Sequence, residues 1–343
     1  MTKIGNEIFG RPSLEQVVER QKRSSTTRFI TRTLLRASPL LQLMPFVDDV
    51  QASSRQRRIS YGYTRRNVAR VGQLRDYNTD YAPKFAGGET DHTAILRPIG
   101  DSFELDRVFG DADPEYVEQQ VGAMAPAVAS KLADLIINGD SASNALEIDG
   151  LSKMLTGTSQ VKTGLTLSLG DGGTAAQLAF RKNVAQISSA VRTMTSMGLR
   201  PVVLGNADII ASLELGGDVL GYGDRTTDYF GVAQVSTIGR AALIDVGMTT
   251  VHGTTAPETP NEVPVESVEI IPTVDGVTDL YVVGFSSVNG VTGLTLNGNG
   301  TSPVNYATNP KDAGAIRRYE VELVAGVAVL DERAVIKFED VVI

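Results

Sequence analysis

The stretch DPEYVEQQVGAMAPAVASKLADLIINGD, residues 113–140, decides how the rest of the chain is read. Asp113 can cap a helix with its carboxylate, Pro114 suits the first helical position because it has no N–H to leave unpaired, and Glu115 and Glu118 face the positive end of the helix dipole. Val117, Val121, Met124, Val128, Leu132, Leu135 and Ile136 recur at spacings of three and four, so they fall on one face. The helix is expected to run to Asn138 and to stop at Gly139. At 1.5 Å per residue it would be about 37 Å long, more than the diameter of a small domain. Pro126 lies inside it and removes one backbone hydrogen bond. A bend is expected there, at about 3 kcal/mol unless packing compensates.

On the N-terminal side, residues 13–36 read as an amphipathic helix with Ser13 as N-cap and Gln16 three residues on, the capping-box spacing. Pro39 and Pro45 break any continuation. This basic arm has a narrow apolar stripe and no partner element nearby in sequence, so it is expected to lie against something outside its own chain. Residues 57–64, Arg-Arg-Ile-Ser-Tyr-Gly-Tyr-Thr, suggest a strand, and a second strand-like run goes from Thr93 through Leu96 to Phe103, Leu105 and Val108. Gly72, Pro83, Gly87 and Gly88 lie between them, which makes the whole a long hairpin with an irregular tip. An isolated two-stranded hairpin is marginal in water, so this one is expected to be stabilised by a neighbouring copy.

On the C-terminal side, residues 170–173 form a glycine-rich break before a second helical pattern over 174–197, closed by Gly198. Pro201-Val202-Val203-Leu204 reads as a buried strand, 207–215 as a short helix and 232–246 as strand-rich. Residues 253–264 read as a surface loop, and the chain closes with strands at 280–285, 319–329 and 335–338. There is no internal repeat. The fold class is therefore α+β.

Composition excludes much chemistry. The 343 residues contain no Cys and two His, His92 and His252, far apart in sequence, so thiol catalysis, disulfides and the common zinc sites have no ligands. The glycine-rich Gly170-Asp171-Gly172-Gly173-Thr174 lacks the Lys-Ser/Thr of a phosphate loop, and Gly221 and Gly223 lack the third glycine of a dinucleotide fingerprint. Asn299-Gly300-Thr301, without a secretory signal, is only a turn. No catalytic, cofactor or metal residue is assigned. There is no apolar leader at the N-terminus and no run of 18 apolar residues. Net charge is −8, unevenly divided: residues 1–75 hold 15 of the 32 Lys and Arg against 5 of the 40 acids, +10 locally and −18 for the remainder. A basic arm can bind nucleic acid. Here the arginines are interspersed with Leu, Ile and Phe, which favours contact with the acidic body of a neighbour. On this reading the candidate inter-subunit residues are Arg28, Arg32 and Arg36 on the arm, and Arg57, Arg58, Arg65, Arg66, Lys84 and Phe85 on the hairpin.

Ile137-Asn138-Gly139-Asp140 followed by Ile148-Asp149-Gly150-Leu151, then residues 198–204 with Asn206, Phe230-Gly231-Val232, Arg317-Arg318-Tyr319-Glu320, residues 326–329 and Ala334-Val335-Ile336 carry a resemblance in their order and spacing. The chain resembles the major capsid proteins of tailed double-stranded DNA bacteriophages, the Hong Kong 97 type of capsid fold shared with encapsulins, over nearly its whole length. The resemblance implies an N-terminal arm (1–51), an extended loop hairpin (52–111), a peripheral domain made of a spine helix (112–150) and C-terminal strands (306–343), and an axial domain (151–305). It further implies a structural, non-enzymatic subunit that self-assembles as pentamers and hexamers into an icosahedral virion shell around double-stranded DNA bound without sequence specificity. Assembly is expected in the bacterial host cytoplasm with a portal, a separate scaffolding protein and, as an optional partner, a decoration protein, and with no membrane and no cofactor. An uncleaved N-terminus is expected.

Some members cross-link a loop Lys to an Asn of the peripheral domain. Lys84 has the loop position, but Ala313-Gly314-Ala315 offers no Asn before the closing strand, so non-covalent locking is expected. The alternatives are an encapsulin-type nanocompartment shell and, from a different class, a cytoplasmic α/β enzyme.

Overall fold

A computed structural model of the chain describes residues 25–50, 59–67, 72–81, 88–168, 173–220, 224–229, 232–239, 241–252, 265–296, 304–310 and 315–343. The expected N-cap Ser13, the loop 253–264, Gly221 and Gly223, residues 170–172, Phe230-Gly231 and Asn299-Gly300-Thr301 lie outside them.

In chain order the first part contains α1 (Ser25–Ala37), α2 (Pro39–Leu43), β1 (Phe46–Val50), β2 (Ile59–Arg66), β3 (Glu89–Asp106), α3 (Arg107–Ala112) and α4 (Pro114–Asn138). The middle follows with α5 (Leu151–Leu155), β4 (Val161–Lys162), α6 (Thr174–Ser196), β5 (Arg200–Gly205) and α7 (Ala207–Leu220). Next come β6 (Asp224–Tyr229), β7 (Val232–Ile238), β8 (Ala241–Asp245), β9 (Met248–His252) and β10 (Val265–Glu269). The last strands are β11 (Val277–Phe285), β12 (Val291–Leu296), β13 (Val304–Pro310), β14 (Ile316–Val329) and β15 (Val335–Val342).

The long helix α4 has the expected bounds. The Asp113 side chain accepts from Tyr116 N at 3.1 Å, and Gly139 follows the last turn. By length and composition α4 could cross a membrane. Its apolar face is instead core: Val121, Met124, Val128, Leu132 and Ile136 are buried, and α1, β3, β9 and β14 pack against the helix.

One sheet organises the molecule, in the order β2-β3-β14-β12-β11-β5-β8-β7-β6, with β1 added to β12, β13 to β14, β15 to β11 and β4 to β15. Its middle is a wall between two cores. Along β5, β11 and β15, Val202, Leu204, Tyr281, Val283 and Val335 enter the core of α4, while Val203, Leu280, Val282, Ile336 and Phe338 enter that of α6 and α7. Alternate side chains of a strand point to opposite faces, so strands covered on both faces are apolar throughout. Strands from segments 151–305 and 306–343 interleave here, and the sheet runs unbroken through both.

Two expectations are overturned. The described part of the arm covers its apolar stripe on its own chain: Ile30, Leu34, Leu40, Leu41, Met44 and Phe46 are each at most 1% exposed and belong to the α4 core. β1 also pairs in parallel with β12, Phe46 opposite Gly293. The hairpin strands are likewise covered at home. Ala94 and Leu96, with Ile59, Tyr61 and Tyr63, pack on Val47, Leu294, Leu296, Val324 and Ala328. Both partners lie far along the chain, which is why neither is visible locally. Smaller differences are that Val108 belongs to α3 instead of the strand, that α7 extends to Leu220, and that β1, β12 and β13 are additional strands.

Candidate functional site

The turn after α4 shows why the two Gly-containing motifs stand where they do. Gly150 N donates to Gly139 O at 2.8 Å, and the backbones are so close that a Cβ on Gly139 would sit 2.4 Å from Ile148 O and one on Gly150 2.7 Å from Gly139 N. Only glycine fits at either position. The intervening residues are tied by charge: Lys153 Nζ lies 2.6 Å from Asp140 Oδ1 and 2.7 Å from Asp149 Oδ1, and donates to Ser141 Oγ at 3.1 Å. Asp140 Oδ2 also accepts from Ser143 Oγ at 2.6 Å. Lys153 and then Ser143 hold the Asp140 carboxyl well below the usual carboxylate range. At Asp149 partial burial pushes upward, but hydrogen bonds from Lys153 and Ser141 outweigh it and the net shift is downward.

This turn is the seat of the hairpin base. Arg65 Nη1 donates to Met154 O at 3.1 Å, and Arg97 Nη2 donates to Ala145 O. Arg66 N donates to Leu330 O at 2.9 Å, beside Asp331, whose carboxylate takes a two-point contact from Arg333 at 2.6 and 2.9 Å. Burial pushes the Tyr63 hydroxyl pKa up.

Beyond the base, described residues 72–81 are almost wholly exposed, including Leu74 at 102%, Tyr77 at 93% and Tyr81 at 58%. They are nevertheless ordered among themselves. Asp76 Oδ1 accepts from Tyr77 N at 2.8 Å, Asp76 O from Thr79 Oγ1 at 2.7 Å, and Arg75 Nη1 donates to Thr79 O at 3.1 Å. The Arg75 guanidinium also stands 5.5 Å from the Tyr81 ring centre. The loop thus presents Leu74 and Tyr77 almost fully, and Tyr81 in large part, to solvent on a shaped turn. A second exposed apolar group, Val108 and Phe109 on α3 with Tyr116 at the start of α4, lies in another part of the chain.

Of the residues singled out from sequence, Arg32 and Arg36 are exposed on α1, and Arg66 is exposed and 3.6 Å from Glu89. Arg65 is 6% exposed and turned into its own chain. Arg28 lies in α1 with its side chain outside the described ones; Arg57, Arg58, Lys84 and Phe85 lie outside the described residues altogether. Leu74, Tyr77 and Tyr81 were not singled out, although their place in a polar loop was the available signal. Among the described residues, no group of three or more His, Asp or Glu side chains converges as metal ligands.

No protein-family model and no curated protein matches the sequence. Solved structures do. The SrpI encapsulin complex of Synechococcus elongatus PCC 7942 matches with a TM-score of 0.55 and 16% identity over 91% of this chain and 89% of that one. The capsid of the empty GTA particle matches with a TM-score of 0.56 and 11% identity over 89% and 90%. The fold is of the Hong Kong 97 type. The capsid of the native GTA particle agrees, with a TM-score of 0.51 and 10% identity over 93% and 91%.

Proposed function

We propose that this chain is a phage major capsid protein, a structural subunit without catalytic function that assembles as pentamers and hexamers into an icosahedral head around double-stranded DNA. The observation that carries the reading is the pairing of a Hong Kong 97 type fold with a pre-shaped loop on which Leu74, Tyr77 and Tyr81 are largely exposed to solvent. A monomer in water has no use for such a surface, and a neighbour's surface removes it from solvent. The domain boundaries given above, the role of the arm arginines as neighbour contacts, a portal, a separate scaffolding protein and non-covalent locking belong to the same reading. Exposed ion pairs are worth about 0–1 kcal/mol each, so the arm arginines matter only through repetition around a shell, and rising salt weakens them. Negative-stain microscopy and mass in solution test it: closed shells are expected, and a small, monodisperse oligomer at all concentrations refutes it. Boiled particles are expected to give one monomer band on denaturing gels.

An encapsulin shell is the second reading, favoured by a structural likeness as good as that to the GTA capsid. The nucleic-acid content of particles separates the two, since a nanocompartment holds protein cargo instead of a genome.

A further inference from the structure

We infer that the exposed face of α6 is the surface that meets the phosphate backbone of the enclosed DNA, a proposal that rests on the phage-head reading. In a chain with 40 acidic and 32 basic side chains, the 23 residues of α6 contain Arg181, Lys182 and Arg192 and neither Asp nor Glu. All three cations are exposed, and among the described residues none has a hydrogen-bond or ion-pair partner. Arg181 and Arg192 are eleven residues apart, so they share one face about three turns, or roughly 16 Å, from each other. The exposed side chains between and beside them, Ala185, Gln186, Ser189 and Thr193, are short or polar. The opposite face, with Phe180, Val184, Ile187, Val191 and Met194, is buried in the second core, so the helix presents this face rigidly.

Charge complementarity requires an anionic occupant, and two polyanions are at hand: DNA, or the acidic body of another copy. The composition of the face decides between them. Protein interfaces have cores of aromatic and apolar side chains joined by Arg and are depleted in Lys, Ser and Ala, whereas backbone contacts to DNA come from Arg and Lys with Ser, Thr and Gln and need no apolar core. The α6 face is of the second kind, with Leu178 its one large apolar exposure, and the apolar contact groups lie elsewhere, on the loop tip and α3. Such contacts carry no sequence information, which suits a shell that holds any genome.

The test uses the full chain as unassembled subunit, with fluorescence anisotropy on two duplexes of unrelated sequence between 50 and 200 mM salt. Each phosphate contact contributes about 0.9 to the slope of log K against log salt. The variant R181Q/K182Q/R192Q is expected to make that slope shallower by about 2 to 3, equally for both duplexes, while keeping its helix content by circular dichroism and still forming shells. The single variants R181Q and R192Q, each shifting the slope by about 0.9, serve if the triple variant does not fold. R32Q/R36Q on α1 is expected to leave the slope unchanged. An α6 variant with an unchanged slope overturns the assignment, and one that in addition no longer forms shells moves the face to contact with a second copy. Failure of the wild-type chain to form any shell refutes the phage-head reading, a result read by microscopy separately from the slope.

Discussion

The β2–β3 base and the described tip residues 72–81 between those strands obey opposite rules. At the base, Leu96 is 2% exposed and lies on Leu294, Leu296 and Val324 of its own chain; at the tip, Leu74 is 102% exposed and touches no apolar partner among the described residues. The arm repeats the contrast over a shorter distance: Phe46 is fully buried and Phe29 is 58% exposed. On the shell reading proposed above, a subunit has to separate surfaces closed by its own fold from surfaces left for a neighbour. Here the division falls inside single elements, not between domains.

The sharpest way to break this comparison is to remove the tip alone. Arg66 pairs with Glu89 and Asn67 N donates to Gly88 O at 3.0 Å, so deleting residues 68–87 joins Arg66-Asn67-Gly88-Glu89, an Asn-Gly two-residue hairpin turn of the favoured kind. A wider deletion from Arg65 to Thr90 would also cut the Arg65 bond to Met154 and mix the two effects. The expected result is a soluble subunit with wild-type thermal unfolding and complete loss of shells. Normal particles from this variant would remove the tip from assembly.

Next in size is the pair of arm phenylalanines. Phe46→Ala is expected to lower unfolding stability by about 3–5 kcal/mol, the usual range for a buried aromatic, and Phe29→Ala by less than about 0.5 kcal/mol. Equal effects in chemical denaturation would mean that the arm is not part of the subunit core. On the hairpin, Leu96→Ala is expected to cost about 2–5 kcal/mol, while Leu74→Ala leaves subunit stability within about 0.5 kcal/mol and raises the concentration needed for assembly. Light scattering on a concentration series reads the second half.

These pairs also mark what the sequence discloses. The ends of α4 were legible because Asp113, Pro114 and Gly139 act through local backbone chemistry, and β5 because a strand covered on both faces is apolar at every position. β12 was not, since Thr292, Gly293 and Thr295 make it look like a loop. In the fold both threonines are buried with hydroxyls on Pro45 O and Val324 O at 3.1 Å, and Gly293 is where the Phe46 ring lies. That strand pairs with β1 and, through Leu294 and Leu296, covers the hairpin base, while the arm helix lies on α4, so missing these distant partners sent both to a neighbour. At the site, charge pointed to arginines, and Arg65 turned out to be an internal anchor. The tip's apolar side chains have no periodicity to reveal them, because a turn has none.

The smallest expected effect concerns the seat on which the hairpin base rests. Asp140 has its folded pKa depressed by Lys153 and Ser143, and Asp149 is lowered as well, so both bind protons less readily in the folded subunit than in the unfolded chain. A depressed carboxylate pKa contributes stability that is fully present above the unfolded value, about 3.9, and is lost as pH falls through the folded value. Stability from this source is therefore level from neutral pH down to about pH 5 and declines below about pH 4. Asp140→Asn removes one of the two carboxylates. The variant is expected to be less stable than wild type at neutral pH, and the gap should close on acidification, because protonation removes from wild type what the substitution has already removed. Proton uptake on unfolding below pH 4 should fall by up to one. Arg65 and Arg97 bond to the carbonyls of Met154, in the helix that follows, and of Ala145 in this turn, so amide exchange at Tyr63 and Arg65 should quicken with the substitution, while residues 72–81 keep their rates. Parallel pH profiles for the two proteins would show that Lys153 holds the turn without these charges mattering.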